Sequence, residues 1–142
     1  MLSLLGKQLK DDDIIDLLEL HDVDVVYAFD RLHENMPDIY WASFHSLGVQ
    51  LRFNEHQALS TIFCYIAARD GFNAAAIHAI GVPVYESFQL AEQACQSNAV
   101  AYEASPTKAW LKALGHDHHT HYEFSEGVLS LVTLMLVEGN ED

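Results

Sequence analysis

The stretch His119-Thr-His-Tyr-Glu-Phe-Ser-Glu-Gly-Val-Leu-Ser-Leu-Val-Thr-Leu-Met-Leu-Val137 decides the fold. It reads as two strands around a tight turn at Ser125-Glu126-Gly127. In the first strand Tyr122 and Phe124 fall on one face, and His119, His121 and Glu123 fall on the other. In the second, Val128 to Val137, apolar residues occupy both faces and only Ser130 and Thr133 interrupt them. A strand covered on both sides has that pattern, so this one is expected at the centre of an antiparallel sheet.

Working outward, a second hairpin precedes it. Val49, Leu51 and Phe53 alternate with Gln50, Arg52 and Asn54, a half-buried strand. After a polar turn at Asn54 to Gln57, Ala58 to Ala68 is apolar on both faces, and Arg69-Asp-Gly71 closes it with turn chemistry. Lys108 to Leu114, around Trp110, gives a further strand, and Gly115 to His118 turns into the opening segment. Helices are expected at Lys10 to His21, where Ile14, Leu17, Leu18 and His21 share a face behind the capping candidates Asp11, Asp12 and Asp13, and from Ser87 to Ser97, with Phe88, Ala91, Glu92 and Cys95 on one stripe. Val23, Val25 and Tyr27 suggest a short strand before Pro37, which breaks regular structure. Ile39, Tyr40, Trp41 and Phe44 form an aromatic cluster, and Asn98 to Thr107 reads as loop. The expected fold is α+β: an antiparallel sheet of about five strands, a hairpin plus a C-terminal meander, with two or three helices packed mainly on one face. The acidic tail Glu138 to Asp142 is expected to fray. Residues 1–142 form one domain, since no repeat or linker suggests a second.

Half of the 142 residues are hydrophobic, enough for a core without staples. Cys64 and Cys95 lie in apolar segments and read as buried free thiols of a reducing compartment. Met1 to Gly6 is too short for a signal-peptide core, and the longest apolar run is half a membrane span, so a cytoplasmic protein is expected. Against 7 Lys and Arg stand 21 Asp and Glu, a formal net charge of -14. Such a surface repels nucleic acid and anionic membrane and attracts a basic partner, although acidity also serves solubility alone.

Three constellations bear on chemistry. His116, His118, His119 and His121 are dense enough to hold zinc, copper or nickel, with Asp117 and Glu123 as oxygen donors. Their spacing matches no zinc motif, and the alternative is a histidine-rich polar turn. Nucleophilic catalysis has little to stand on: Cys64 and Ser60 lie in an apolar run, no Gly-x-Ser-x-Gly elbow is present, and the seven glycines are scattered singly. No enzyme activity and no cofactor are therefore expected. The third constellation interleaves carboxylates with aromatics: Asp22, Asp24, Tyr27, Asp30, Glu34, Asp38, Tyr40 and Trp41. Of these, Asp24, Asp30, Glu34, Asp38, Tyr40 and Trp41 form the expected contact surface for a basic protein, the aromatics as anchors and the carboxylates as partners for Arg. Read otherwise, the aromatics are core and the carboxylates a solvated face.

Asp24-Val-Val-Tyr27 with Phe29-Asp-Arg31, Leu51-Arg-Phe53, Leu59-Ser-Thr-Ile-Phe63, Trp110, and His121-Tyr-Glu-Phe124 followed by Val132-Thr-Leu-Met135 together resemble the small α+β immunity proteins encoded beside polymorphic toxins, including those of contact-dependent inhibition systems. The resemblance rests on strand-core patterns over most of the chain. It implies a cytoplasmic protein, monomer or homodimer, that binds and blocks a cognate toxin domain, often a nuclease with a basic groove. It carries over no functional residue position by position. A metal-binding protein or metal-dependent enzyme built on His116 to His121, and a homodimeric interaction module, are the two rival readings.

Overall fold

A computed structural model describes residues 1–28 and 38–137 of the chain. Phe29, Asp30, Arg31 and Glu34, and the tail expected to fray, lie outside the described residues. The elements are α1 (Asp12–Leu20), β1 (Val25–Ala28), β2 (Ile39–Phe44), β3 (Val49–Phe53), β4 (Leu59–Tyr65), α2 (Phe88–Ser97), β5 (Tyr102–Ala104), β6 (Trp110–Leu114), β7 (His118–Ser125) and β8 (Val128–Leu136). All eight strands join one antiparallel sheet, in the order β1-β2-β3-β4-β8-β7-β6-β5.

This corrects the expected sheet of about five strands with two or three helices: the described residues form eight strands and two α-helices. Both the hairpin and the C-terminal meander are parts of four-stranded meanders. Two strands went unread, for different reasons. In β2, Ile-Tyr-Trp-Ala-Ser-Phe, an apolar Trp41 stands on the outward row and hides the alternation. In β5, Tyr-Glu-Ala is too short to show a period.

The register puts two kinds of side chain on the two faces. On one face lie Ala42 and Phe44, Val49, Leu51 and Phe53, Ile62 and Cys64, Val132 and Leu134, Tyr122 and Leu111, all buried. Ile14 of α1 and Phe88, Ala91 and Cys95 of α2 join the same core. Each fully buried Leu, Ile or Phe contributes about 1.5–3 kcal/mol, so this face holds the helices on. Ser87 caps α2 as the sequence predicts, its Oγ accepting from Leu90 N–H at 3.3 Å. Asp11 precedes α1 differently: its Oδ2 turns back to accept from Gln8 N–H at 2.8 Å, and Asp12 and Asp13 meet the positive end of the helix.

The element order repeats: α1-β1-β2-β3-β4, then α2-β5-β6-β7-β8. The repetition extends to details. Both helices end in the same Schellman turn, with Val23 N–H donating to Leu18 O at 2.9 Å and Val100 N–H to Cys95 O at 2.8 Å. The residues between, Asp22 and Ala99, both take left-handed backbones, at φ 52° and 55°. Both inner hairpins shift register at one place, Arg52/Phe53 in β3 and Glu123/Phe124 in β7. Beside each shift a serine closes the same bond: Ser60 Oγ to Arg52 O at 3.2 Å, and Ser130 Oγ to Glu123 O at 3.1 Å. The segment before each helix also reaches the same spot, Leu59 N–H donating to Lys7 O and Leu129 N–H to Glu86 O. The halves meet where β4 pairs with β8. Phe63 faces Thr133 there, with Thr61 opposite Met135 on one side and Tyr65 opposite Leu131 on the other. The pair Phe63–Thr133 marks a pseudo-twofold axis through the sheet. The two halves share one sheet and one core.

Candidate functional site

Neither α1 nor β1 is long enough to stand alone, and both depend on the core they flank. Ile14 anchors α1 and is fully buried. The other side of the helix carries Asp12, Asp13, Asp16 and Glu19 into solvent. The chain leaves the helix through Asp22 and Asp24 into β1, the edge of the sheet. Large apolar side chains are exposed amid these carboxylates: Ile15, Leu20 at 78 %, Val26 at 62 % and Tyr27. These are four of the eight large apolar side chains exposed among the described residues.

A cleft of about 470 Å³ opens where α1 gives way to β1 and β2, lined by His21, Asp22, Val23, Asp24, Val26, Ser43, Phe44, His45 and Ser46. His21 stands edge-on to Phe44, ring centroids 5.8 Å apart. His45 stacks on Phe72 at 4.3 Å. Two carboxylates beside an exposed Val26 suit an Arg or Lys side chain, whose alkyl stem lies on Val26 while its charge meets Asp22 and Asp24.

The residues expected to form one contact surface are divided by the register. Asp24 lines the cleft. Asp38 accepts a hydrogen bond from Tyr27 Oη at 2.8 Å and so pushes the Tyr27 hydroxyl pKa up. Tyr40 pairs with Tyr27 and Phe53 on the helix-covered side, its ring stacked on Tyr27 at 5.0 Å. Trp41, one residue on, points to the opposite face, where it stacks on Phe63 at 6.2 Å under the Arg52 guanidinium. Asp30 and Glu34 are outside the described residues. The expected surface leaves out α1, whose Ile15, Asp16, Glu19 and Leu20 are all exposed. The signal was Leu20, which lies off the stripe of Ile14, Leu17 and Leu18.

The histidine cluster is divided in the same way. His119 and His121 share the outward face of β7, as the alternation predicts, whereas His118 pairs with Leu136 on the other. His119 Nδ1 accepts from Gly115 N–H at 3.2 Å. His121 stacks on Trp110 at 5.3 Å, and burial lowers its pKa, with Lys112 adding to that and Glu123 opposing it. Among the described residues no group of three or more His, Cys, Asp or Glu is arranged to hold a metal ion. Cys64 is fully buried, and burial pushes its thiol up to about 12, which removes the thiolate that nucleophilic chemistry needs. Among the described residues no helix is long and apolar enough to cross a membrane.

No protein family, curated protein or solved structure matches the chain.

Proposed function

We propose that the protein is an immunity-type inhibitor, which binds a cationic toxin domain through the acidic strip of α1 and β1 and so blocks it. The observation that carries this reading is the exposure of Ile15, Leu20 and Val26 among Asp12, Asp13, Asp16, Glu19, Asp22 and Asp24. Exposed apolar side chains give a partner something to bury, and the surrounding carboxylates select a basic one and speed the encounter. The cleft beside Asp22 and Asp24 receives an Arg or Lys side chain of the toxin. A nuclease is the fitting class, because its substrate groove is basic and an acidic inhibitor competes with nucleic acid for it.

On this reading a toxin domain is encoded next to the chain, and that domain is the partner to use. The expected result is a stable complex that weakens as salt rises and that abolishes toxin activity in the test tube. Asp16→Lys combined with Asp24→Lys is expected to weaken the complex at least about tenfold while circular dichroism stays that of the wild type. No complex, or one indifferent to both substitutions and to salt, would refute the reading.

A further inference from the structure

The face of the sheet turned away from the helices bears three rows of side chains. One runs Val26, Trp41, Arg52, Thr61, Met135, His119. The next runs Ser43, Gln50, Phe63, Thr133, His121, Lys112, and the third Tyr65, Leu131, Glu123, Trp110. Among the described residues, only the turn that brings Phe72 onto Tyr65 and Leu131 lies over a corner of it. Flat side chains pave the remainder, and Thr61 and Thr133 are buried beneath them.

The pseudo-twofold axis through Phe63–Thr133 gives this face a particular charge pattern. Residues that the axis exchanges lie at equal distances on opposite sides of the centre. Trp41 and Trp110 are exchanged, each paired across its hairpin with the residue before the register shift. Those two residues are Arg52 and Glu123, so the exchanged positions carry opposite charges.

We propose that this face is the interface between two copies of the chain, joined face to face by a twofold axis lying between the sheets. An axis placed midway between Arg52 and Glu123 lays Arg52 of each copy against Glu123 of the other, and the ion pair forms twice. The same rotation brings each Trp41 toward the other copy's Trp110. The surface repeats itself in both partners, as an isologous contact requires. With eight strands about 4.8 Å apart and about 20 Å of strand length, the face offers roughly 700 Å² per copy, close to the approximately 800 Å² of a standard interface.

Charge selects a second copy over other occupants. Among the described residues Arg52, Arg69 and Lys112, three of the chain's seven cations, balance Glu103, Glu123 and Asp70 here, so two copies of a chain of net charge -14 repel least on this side. Nucleic acid would also stack on tryptophans, but the acidic remainder of the chain repels a polyanion. The contact meets the α1–β1 strip and its cleft at Val26 and Ser43, and it does not depend on any toxin.

Sedimentation equilibrium of the full chain tests it. Wild type is expected to dimerise. Arg52→Glu alone and Glu123→Arg alone are each expected to weaken the dimer at least about a hundredfold, and the double variant R52E/E123R to restore it. Glu123 meets Arg69 at 4.0 Å with both side chains partly exposed, and circular dichroism of E123R is expected to match that of the wild type. A wild type monomeric at every concentration, a dimer indifferent to the single substitutions, or a double variant that stays monomeric would each overturn the proposal. So would a monomer whose tryptophan fluorescence is quenched by a single-stranded oligonucleotide, which would assign the face to nucleic acid.

Discussion

Gly48 shows how closely one residue can be constrained. It ends the 3-10 turn His45–Leu47 with φ 69° and ψ 32°, a left-handed conformation open to glycine. A Cβ there would stand 2.1 Å from Asn73 O and 2.6 Å from Ala75 N. Both are backbone atoms of the segment that brings Phe72 onto the sheet, so neither can yield cheaply. Gly48→Ala is expected to cost more than about 2 kcal/mol in urea unfolding. His121 makes a different prediction. Its folded pKa lies below the ordinary histidine value because burial disfavours the imidazolium. Between the two values the unfolded chain binds more protons, so the stability present above the unfolded pKa is lost as pH falls through the folded one. Urea midpoints measured from pH 7 to pH 5 should fall more steeply for wild type than for His121→Gln. Equal slopes would mean that the imidazole is hydrated in solution.

At the scale of elements, the two helix endings invite a comparison. Ala99 holds the left-handed position that glycine usually fills in a Schellman turn, at φ 55°. Ala99→Gly should therefore raise stability, by about 0.5–1 kcal/mol, and thermal unfolding will show it as a higher midpoint. The serine hydroxyls at the register shifts bind Arg52 O and Glu123 O in the same geometry. Ser60→Ala and Ser130→Ala should each cost about 1 kcal/mol, with Ser60 the dearer because it is the more buried of the two. What was legible in the sequence follows the same lines. The hairpins of β3-β4 and β7-β8, both helices and the face shared by His119 and His121 were readable because alternation and capping leave local marks. Strands β2 and β5 were not. The repeat was hidden because connections differ in length between the halves, and few matches survive: Trp41 with Trp110, Val23 with Val100, Phe53 with Phe124, Leu59 with Leu129, Ser60 with Ser130. The expected contact surface is legible as a composition and not as a geometry. Tyr40 and Trp41 are neighbours in the chain and lie on opposite faces of the sheet, which a list of acidic and aromatic residues cannot express.

At the scale of the whole molecule, charge and apolar exposure are distributed unevenly. Carboxylates crowd α1 and the β1 edge, while Arg52, Arg69 and Lys112 gather on the open face of the sheet and its rim. A partner that reads charge meets a different surface at each, so raising salt should weaken the proposed toxin complex and the proposed self-association by different amounts in the same titration. The pairing of β4 with β8 bears on the order in which the chain assembles. Within each half, every strand pairs with its neighbour in sequence, whereas Thr61 and Met135 must meet across about half the length of the chain. Loop closure makes such distant contacts slow to form. Each half is expected to reach its meander early, and the β4–β8 joint to close last. Refolding followed after Ile62→Val should then show an accelerated unfolding limb and a nearly unchanged folding limb. A slowed folding limb would mean instead that the two halves search for each other before either is built.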